Sequence, residues 1–229
     1  MASSRKQPPE PQRALAGNPD GGAPIPAAAR PVNTSHPDQV IGNGTAASCT
    51  SAAVVAAVAK GGVITFGNRC DSTGPDLGGA AIRALSQYQN RPVYVSYSTF
   101  RGGVCSNGGA LSSIGVSWTV LNSLMTGNQA IGDGANPART GTPGGGSGGA
   151  IYNDGDTYHL KVEGTIISGN HAREGGGAIF FVSNDRTGTL LIKKSTLHDN
   201  PSDGFSTAGY PGIFFLGQGH PVVISATIN

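Results

Sequence analysis

Two side chains of opposite charge occupy equivalent positions in a repeated strand pattern. Glu163 follows the apolar residue Val162, and Lys193 follows Ile192 in the same way. Alternate residues of a strand face opposite sides, so both charged side chains are predicted to point outward, about 4.8 Å apart on stacked strands. Such a pair can act as a base and an acid on a glycan-binding face, or form a surface ion pair worth under about 1 kcal/mol. We favour the ion pair.

A second group of polar residues surrounds a short turn. Asp154 and Asp156 are separated by one glycine, and His159 follows closely. A calcium-binding loop alternates acidic ligands over a longer span than these two residues provide. Asn, Asp and Gly are also the residues that tight turns select. We therefore interpret both acids as turn residues, and no catalytic residue is assigned; Asp154, Asp156, Glu163 and Lys193 remain weak candidates.

Three tyrosines form the best candidate for a binding patch. Tyr94 and Tyr97 are predicted to face outward from one strand segment, and Tyr88 precedes them in a loop. Outward aromatic rings bind sugars by stacking. An alternative is that these rings only cover a stretch of the fold where strands are missing.

The composition excludes several functional classes. The 229 residues include 37 Gly and 15 Pro, only 12% are charged, and the net charge is +2. No cluster of Lys and Arg with interleaved aromatic residues occurs, so nucleic-acid binding is not expected. No apolar run reaches the roughly 20 residues that span a bilayer, so membrane insertion is not expected. No His-Glu-x-x-His or Cys-x-x-Cys motif suggests a metal, and no cofactor is assigned.

Short repeated strands must position these residues. A Gly-Gly-Ala-apolar start recurs at Gly108–Leu111, Gly148–Ile151 and Gly176–Ile179. The strand segments align on an apolar anchor, namely Phe100, Met125, Ile167, Leu197 and Ile228. Five positions before the anchor stand Val95, Val120, Val162, Ile192 and Val223. Two positions before it stand Ser98, Ser123, Thr165, Ser195 and Ala226. Repetition of this kind is typical of a solenoid.

The inward phase changes within each unit, which indicates a bend. Leu160 and Val162 share one parity, whereas Thr165 and Ile167 share the other. A strand that turns a corner changes phase in this way, and a flat sheet does not. Glycine pairs suit tight corners, and Asn128, Asn170 and Asn200 tolerate corner geometry and can stack as an amide ladder. The prediction is an all-β chain that forms a parallel β-helix of about five rungs.

The remaining segments are assigned to an arm, a cap and a loop. Residues 1–45 are predicted to form a disordered arm rich in Pro, Gly and Ala. Residues 46–229 form the β-helix domain, in which residues 46–66 supply a capping helix and strand. Ser48, Thr50 or Ser51 would begin this helix and Gly61 would end it. Residues 67–229 carry the repeats, with residues 129–147 extruded as a loop.

These motifs resemble those of the right-handed parallel β-helix proteins with chlamydial polymorphic-outer-membrane-protein repeats, which share the pectate-lyase-like superfamily fold. That family carries Gly-Gly-Ala-Ile and Phe-x-x-Asn motifs. The second motif occurs here in relaxed form at Met125–Asn128, Ile167–Asn170 and Leu197–Asn200. The resemblance covers residues 48–229 and implies a right-handed, exported scaffold, often adhesive and sometimes enzymatic.

The chain departs from that family at both ends of its repeats. Phe66 leads almost directly into the first full unit, which suggests that rungs are missing, naturally or by engineering. The final strand, Val222–Asn229, carries no capping element. An uncapped edge predicts self-association through this end.

The cysteines and the N-terminus bear on the cellular compartment. Cys70 and Cys105 flank the first repeat and are predicted to form a disulfide in an oxidising compartment if their rungs stack, which leaves Cys49 unpaired. The first residues have no apolar core that could serve as a signal peptide. The chain is therefore cytoplasmic, or an export signal has been removed from it. We favour a secreted or cell-surface location.

Three functions remain open. The favoured one is a cell-surface or secreted scaffold, adhesin-like, that binds a polysaccharide or another cell-surface ligand. The alternative is a polysaccharide lyase or glycoside hydrolase of the pectate-lyase-like class, and only a lyase would call for Ca²⁺. Lyases on this fold need a basic residue near carboxylates, and hydrolases need a pair of acids, but Asp and Glu number only 13 here. The third is an engineered or truncated solenoid without activity.

Overall fold

Short strands dominate the structure. The computed structural model describes residues 16–30, 32–43, 45–66, 80–85, 87, 89–132 and 145–229. The helical elements of these residues are the α-helix α1 (Ser51–Lys60) and two 3-10 turns at Ala27–Ala29 and Ala46–Ser48. The first two strands, β1 (Gln39–Ile41) and β2 (Ile64–Phe66), pair with each other in parallel.

The other strands of the described residues form four parallel sheets. Sheet 1 contains β3 (Ile82–Ala84), β7 (Leu111–Ile114), β11 (Ile151–Gly155), β15 (Ile179–Ser183) and β18 (Ile213–Leu216). Sheet 2 contains β4 (Val93–Ser96), β8 (Trp118–Leu121), β12 (His159–Glu163), β16 (Thr189–Lys193) and β19 (Val222–Ile224). Sheet 3 contains β5 (Thr99–Arg101), β9 (Leu124–Thr126), β13 (Ile166–Ser168), β17 (Thr196–His198) and β20 (Thr227–Ile228). A short sheet 4 contains β6 (Val104–Cys105), β10 (Gln129–Ala130) and β14 (His171–Ala172).

The chain visits sheets 1, 2 and 3 in the same order on every pass. Each strand between the first and last passes therefore pairs with the strands one pass earlier and one pass later, and these pairings are parallel. Parallel strands need a long connection between them, which here is the rest of the pass. This stacking is consistent with the predicted parallel β-helix.

The strand register reproduces the rows predicted from the sequence. In sheet 2, Val95, Val120, Val162, Ile192 and Val223 are successive partners. In sheet 3, the successive partners are Phe100, Met125, Ile167, Leu197 and Ile228. The middle members of both rows, from Val120 to Ile192 and from Met125 to Leu197, are almost fully buried. These rows form the core because they repeat at the same depth of every pass.

Two ladders of polar side chains hold the corners. Between sheets 2 and 3, the backbone N–H of Ser123 donates to Thr165 Oγ1 at 3.2 Å, and that of Thr165 donates to Ser195 Oγ at 3.1 Å. After sheet 3, Asn128 Nδ2 donates to Asn170 Oδ1 at 2.8 Å, and Asn170 Nδ2 donates to Asn200 Oδ1 at 2.8 Å. The predicted amide ladder is thus present, and it satisfies backbone groups that a corner takes out of the sheets.

Helix α1 forms as predicted and packs mainly against β1. Thr50 Oγ1 accepts from the Ala53 N–H at 3.2 Å, and Gly61, with a φ of 73°, ends the helix. The main contacts of α1 among the described elements are with β1, and β1 pairs with β2 rather than with a strand of sheets 1 to 3.

Two predicted boundaries change. Much of the arm assigned to residues 1–45 has defined structure, because residues 16–30 bond to sheets 2 and 3 and β1 lies within 39–41. Residues Gln129 and Ala130, assigned to the extruded loop, form β10, which pairs with β6 and β14. Local composition favoured a linker at both places, and contacts distant in sequence overrode it.

Candidate functional site

The outward side of sheet 2 carries three of the candidate residues, Tyr94, Glu163 and Lys193. One outward row runs through Tyr94, Thr119, Lys161, Leu191 and Val222. The neighbouring row runs through Ser96, Leu121, Glu163, Lys193 and Ile224. We call these two rows the sheet 2 face. The parallel register brings them together, because residues at equivalent positions of successive passes lie side by side.

Glu163 is the charged centre of the sheet 2 face. The structure brings it together with Lys193, whose Nζ lies 3.2 Å from Oε1, and also with Lys161, whose Nζ lies 2.8 Å from Oε2. The Glu163 side chain is only 1% exposed, although it points away from the core. Apart from the two ammonium groups, no hydrogen-bond donor among the described residues reaches its oxygens.

The two lysines decide the ionisation of Glu163. Burial acts to raise the pKa of this carboxyl group, but the hydrogen bonds and positive charges of Lys161 and Lys193 together outweigh burial and hold the pKa below its ordinary value. Glu163 is therefore an ionised carboxylate, and each of its oxygens is paired with a lysine ammonium group. It has no proton to donate as a general acid at neutral pH.

A groove opens on the sheet 2 face beside this cluster. It has a volume of about 480 Å³, and its polar lining includes Gln87, Asn90, Thr119, Thr157, His159 and Lys161. None of the described residues that line it is acidic. Lys161 is shared between the groove and Glu163, which leaves the cluster of two lysines and one carboxylate with a net positive charge.

The acids of the predicted turn lie elsewhere. Asp154 is on the outward side of β11, where Oδ2 accepts from the Tyr152 hydroxyl at 3.1 Å and Oδ1 from the Gly155 N–H at 2.7 Å. Asp156 is exposed in the loop that follows. His159 is on β12, and its Nδ1 lies 2.8 Å from Thr189 Oγ1. These contacts tie Asp154 to sheet 1 and His159 to sheet 2, so the structure does not gather the three residues into one centre.

The turn after β15 holds another bonded carboxylate. Asp185 accepts from the Thr187 N–H at 3.1 Å and from the hydroxyls of Thr157 and Ser183, each at 2.8 Å. These bonds, with the backbone N–H first, hold the pKa of Asp185 well below its usual range. The same hydrogen bonds stabilise the ionised form of Asp185 and hold the loop around it.

Two of the three candidate tyrosines are accounted for in the structure. Tyr94 is 36% exposed and lies in the same outward row as Thr119 and Lys161, beside the groove. Tyr97 is 40% exposed and lies at the corner after β4, with a φ of 46°. Tyr88 lies outside the described residues. The structure therefore associates Tyr94, but not Tyr97, with the groove-lining row.

An aromatic ladder that was not predicted from the sequence lies on the outward side of sheet 1. Tyr152 stacks on Phe180 at 5.1 Å between ring centroids, and Phe180 stacks on Phe214 at 5.2 Å. Phe205 packs edge-on against Phe214 at 4.7 Å. The sequence holds a signal for this ladder, because Tyr152, Phe180 and Phe214 each directly follow the Ile of a glycine-led strand start. Since the rings cover each other's faces, they offer few open faces for sugar stacking.

The cysteines differ from the predicted pairing. Cys49 is the disulfide-bonded cysteine, whereas Cys105 is a buried thiol whose sulfur lies 3.9 Å from the Gly109 carbonyl oxygen. Cys70 lies outside the described residues. Cys105 therefore does not form the disulfide that was predicted for it.

Comparisons with protein-family models, with curated proteins and with solved structures find no significant match to this chain. Among the described helices, none has the length and apolar character to cross a membrane. Within the described ranges, no three His, Cys, Asp or Glu residues converge to hold a metal ion.

Proposed function

We propose that this protein is an exported or cell-surface binding scaffold built as a right-handed parallel β-helix of about five coils. We also propose that its coils are related to the chlamydial polymorphic-outer-membrane-protein repeats. The repeated Gly-Gly-Ala corners and the Asn ladder support this relationship. Rigid stacked strands suit a binding surface, because side chains on them are held at fixed spacing.

The ligand that the groove fits best is an anionic polysaccharide. This proposal rests on the polar groups of the groove on the sheet 2 face. They are Lys161, His159, amides and hydroxyls, without an acidic residue among those described. Lys161 offers a positive charge to a carboxylate or sulfate, and amides and hydroxyls suit sugar hydroxyls. Tyr94, in the row that leads into the groove, adds an exposed ring for stacking.

The same groups support binding more than catalysis. A hydrolase needs two carboxyl groups across the scissile bond, one of them protonated. Glu163 is buried and ionised between two lysines, and Asp154 is occupied by Tyr152 and Gly155. A lyase would add a requirement for carboxylates that hold Ca²⁺ near a base, and the described lining of the groove supplies none.

Affinity electrophoresis of the purified chain in gels that contain polygalacturonate, dextran sulfate or neutral dextran tests the proposal. We expect retardation by the two anionic polymers, little by neutral dextran, and weaker retardation at high salt because the charges are screened. Tyr94→Ala should reduce retardation, whereas Thr196→Ala, on the exposed side of sheet 3, should not. Equal retardation by all three polymers would contradict a charge-selective groove.

A parallel assay addresses the enzymatic alternative. The chain is incubated with polygalacturonate and Ca²⁺, and unsaturated product and reducing ends are followed. We expect no turnover above a blank. Sustained product formation that is lost in Glu163→Gln would replace the scaffold proposal with a catalytic one.

A further inference from the structure

Residues 16–30, which we call the N-terminal strap, lie across the corner between sheets 2 and 3. The Gly17 N–H donates to Thr99 Oγ1 at 2.8 Å, and the Asn18 side chain donates to the Gly164 carbonyl at 2.9 Å. At the other end of the strap, Ser96 Oγ donates to the Ala29 carbonyl at 2.7 Å. These contacts spread along the whole strap and, with those of Asn122, fix it against three consecutive passes of the chain.

Asn122 clamps the centre of the strap by its backbone. Its Oδ1 accepts from the Ala23 N–H at 2.9 Å, and its Nδ2 donates to the Ala23 carbonyl at 3.0 Å. Its own carbonyl accepts from the Asn18 N–H at 2.8 Å. Asn122 is fully buried and has a φ of 46°. One side chain thus pairs with both backbone groups of a single strap residue, much as a neighbouring strand would.

The contacts between the strap and the corner leave room only for small residues at several strap positions. A Cβ atom on Gly17 would collide with the Asn122 carbonyl, and one on Gly21 would lie 2.5 Å from Asn122 Oδ1. Ala23 and Ala29 are buried against Leu121, with Ile25 packed beside them. The strap carries two charges of opposite sign, Asp20 and Arg30, and therefore no net charge. The corner therefore fits an extended peptide without net charge and with small side chains at four positions.

We propose that this corner is a peptide-binding site and that it also accepts the N-terminal strap of a second copy of the chain. Most of its hydrogen bonds are to backbone atoms of the strap, so the same contacts form whether the peptide comes from the same chain or from another. In the sequence, residues 31–81 separate the strap from β3. Exchange of an identical element requires no new interface.

The test uses the full chain with its own strap displaced. Ala23→Asp places a charge at a buried strap position, whereas Ala27→Asp places the same charge at an exposed one and serves as the matched control. Amide hydrogen exchange at Asn18 and at position 23 reports whether the strap has left the corner. A labelled peptide of residues 16–30 is then titrated into each chain, and its fluorescence anisotropy is recorded.

We expect the A23D chain to bind the peptide at least about tenfold more tightly than the wild-type and A27D chains, because an unpaired charge at a buried position expels the strap of the A23D chain, whereas the corners of the other two chains stay occupied. A peptide that carries Ala23→Asp should not bind. Labelled wild-type chain should bind the A23D chain through the same corner and be displaced by the peptide. Slow exchange at Asn18 in the A23D chain, equal binding by all three chains, or no binding by a chain whose strap is released would overturn the proposal.

Discussion

Glu163 is buried, although the sequence pattern around it predicts an exposed side chain. Alternation correctly places its side chain on the outward side of β12, beside Lys193. Its burial was not predictable from that pattern, although the Lys161 and Lys193 ammonium groups lie against its carboxylate. An outward carboxylate has thus become a buried one without any change of register.

Replacement of Glu163 by Gln should destabilise the protein. The variant leaves two ammonium groups without their carboxylate, and we expect a loss of about 1–2 kcal/mol in the free energy of unfolding. This is less than for a fully buried pair because Lys161 and Lys193 are 39% and 37% exposed. Urea denaturation measures the change. Asp156→Asn, in an exposed loop, is the control and should change stability little.

The same variant gives a pH dependence. The pKa of Glu163 is lower in the folded protein than its ordinary value of 4.5, so its stabilising contribution is complete above that value. The contribution is lost as the pH falls through the folded-state pKa. We therefore expect the stability difference between wild type and Glu163→Gln to be constant near neutral pH and to shrink below about pH 4.5. A difference that grows in acid would contradict the ionised assignment.

At the scale of elements, the strands and their corners were largely predictable. Each core row repeats one residue type at one position, so five weak local signals reinforce each other. The strap was not predictable, because its Pro, Gly and Ala composition is that of a linker and its anchor, Asn122, lies 99 residues from Ala23. The groove shares this limitation, since Gln87 and His159 meet only after the passes stack.

The Asn ladder is the element-scale feature with the clearest test. Asn170→Ala removes the acceptor for the backbone N–H and Nδ2 of Asn128 and the donor to the Met125 carbonyl, all buried. We expect a loss of about 2–4 kcal/mol in unfolding free energy, because buried groups are left unsatisfied. Chemical denaturation measures it. Asn184→Ala removes an exposed amide that bonds to the Gly155 carbonyl and should cost far less.

At the scale of the whole molecule, the last strands of the three long sheets form an edge. Among the described strands, β18, β19 and β20 have a partner on one side only. Val223 belongs to an inward row yet is 37% exposed, so this edge combines unpaired backbone with core residues. We propose that this edge pairs with further strands, because unpaired backbone groups favour strand addition.

We therefore expect the chain to associate with concentration, as measured by light scattering after size-exclusion chromatography. Val223→Lys should lower the average mass, because a charge at the edge opposes strand addition. His220→Lys, in the preceding loop, should leave it unchanged. A wild-type chain that stays monomeric over the whole concentration range would contradict association through this edge.

Two lysines test most directly whether the groove on the sheet 2 face binds an anionic polysaccharide. Lys161→Ala and Lys193→Ala each remove one ammonium partner of Glu163, but only Lys161 lines the groove. Isothermal titration with polygalacturonate oligomers should show about tenfold weaker binding for Lys161→Ala and a change within about twofold for Lys193→Ala, because a direct charge-assisted contact is lost in the first variant alone. Equal weakening by both variants, or by neither, would contradict the claim.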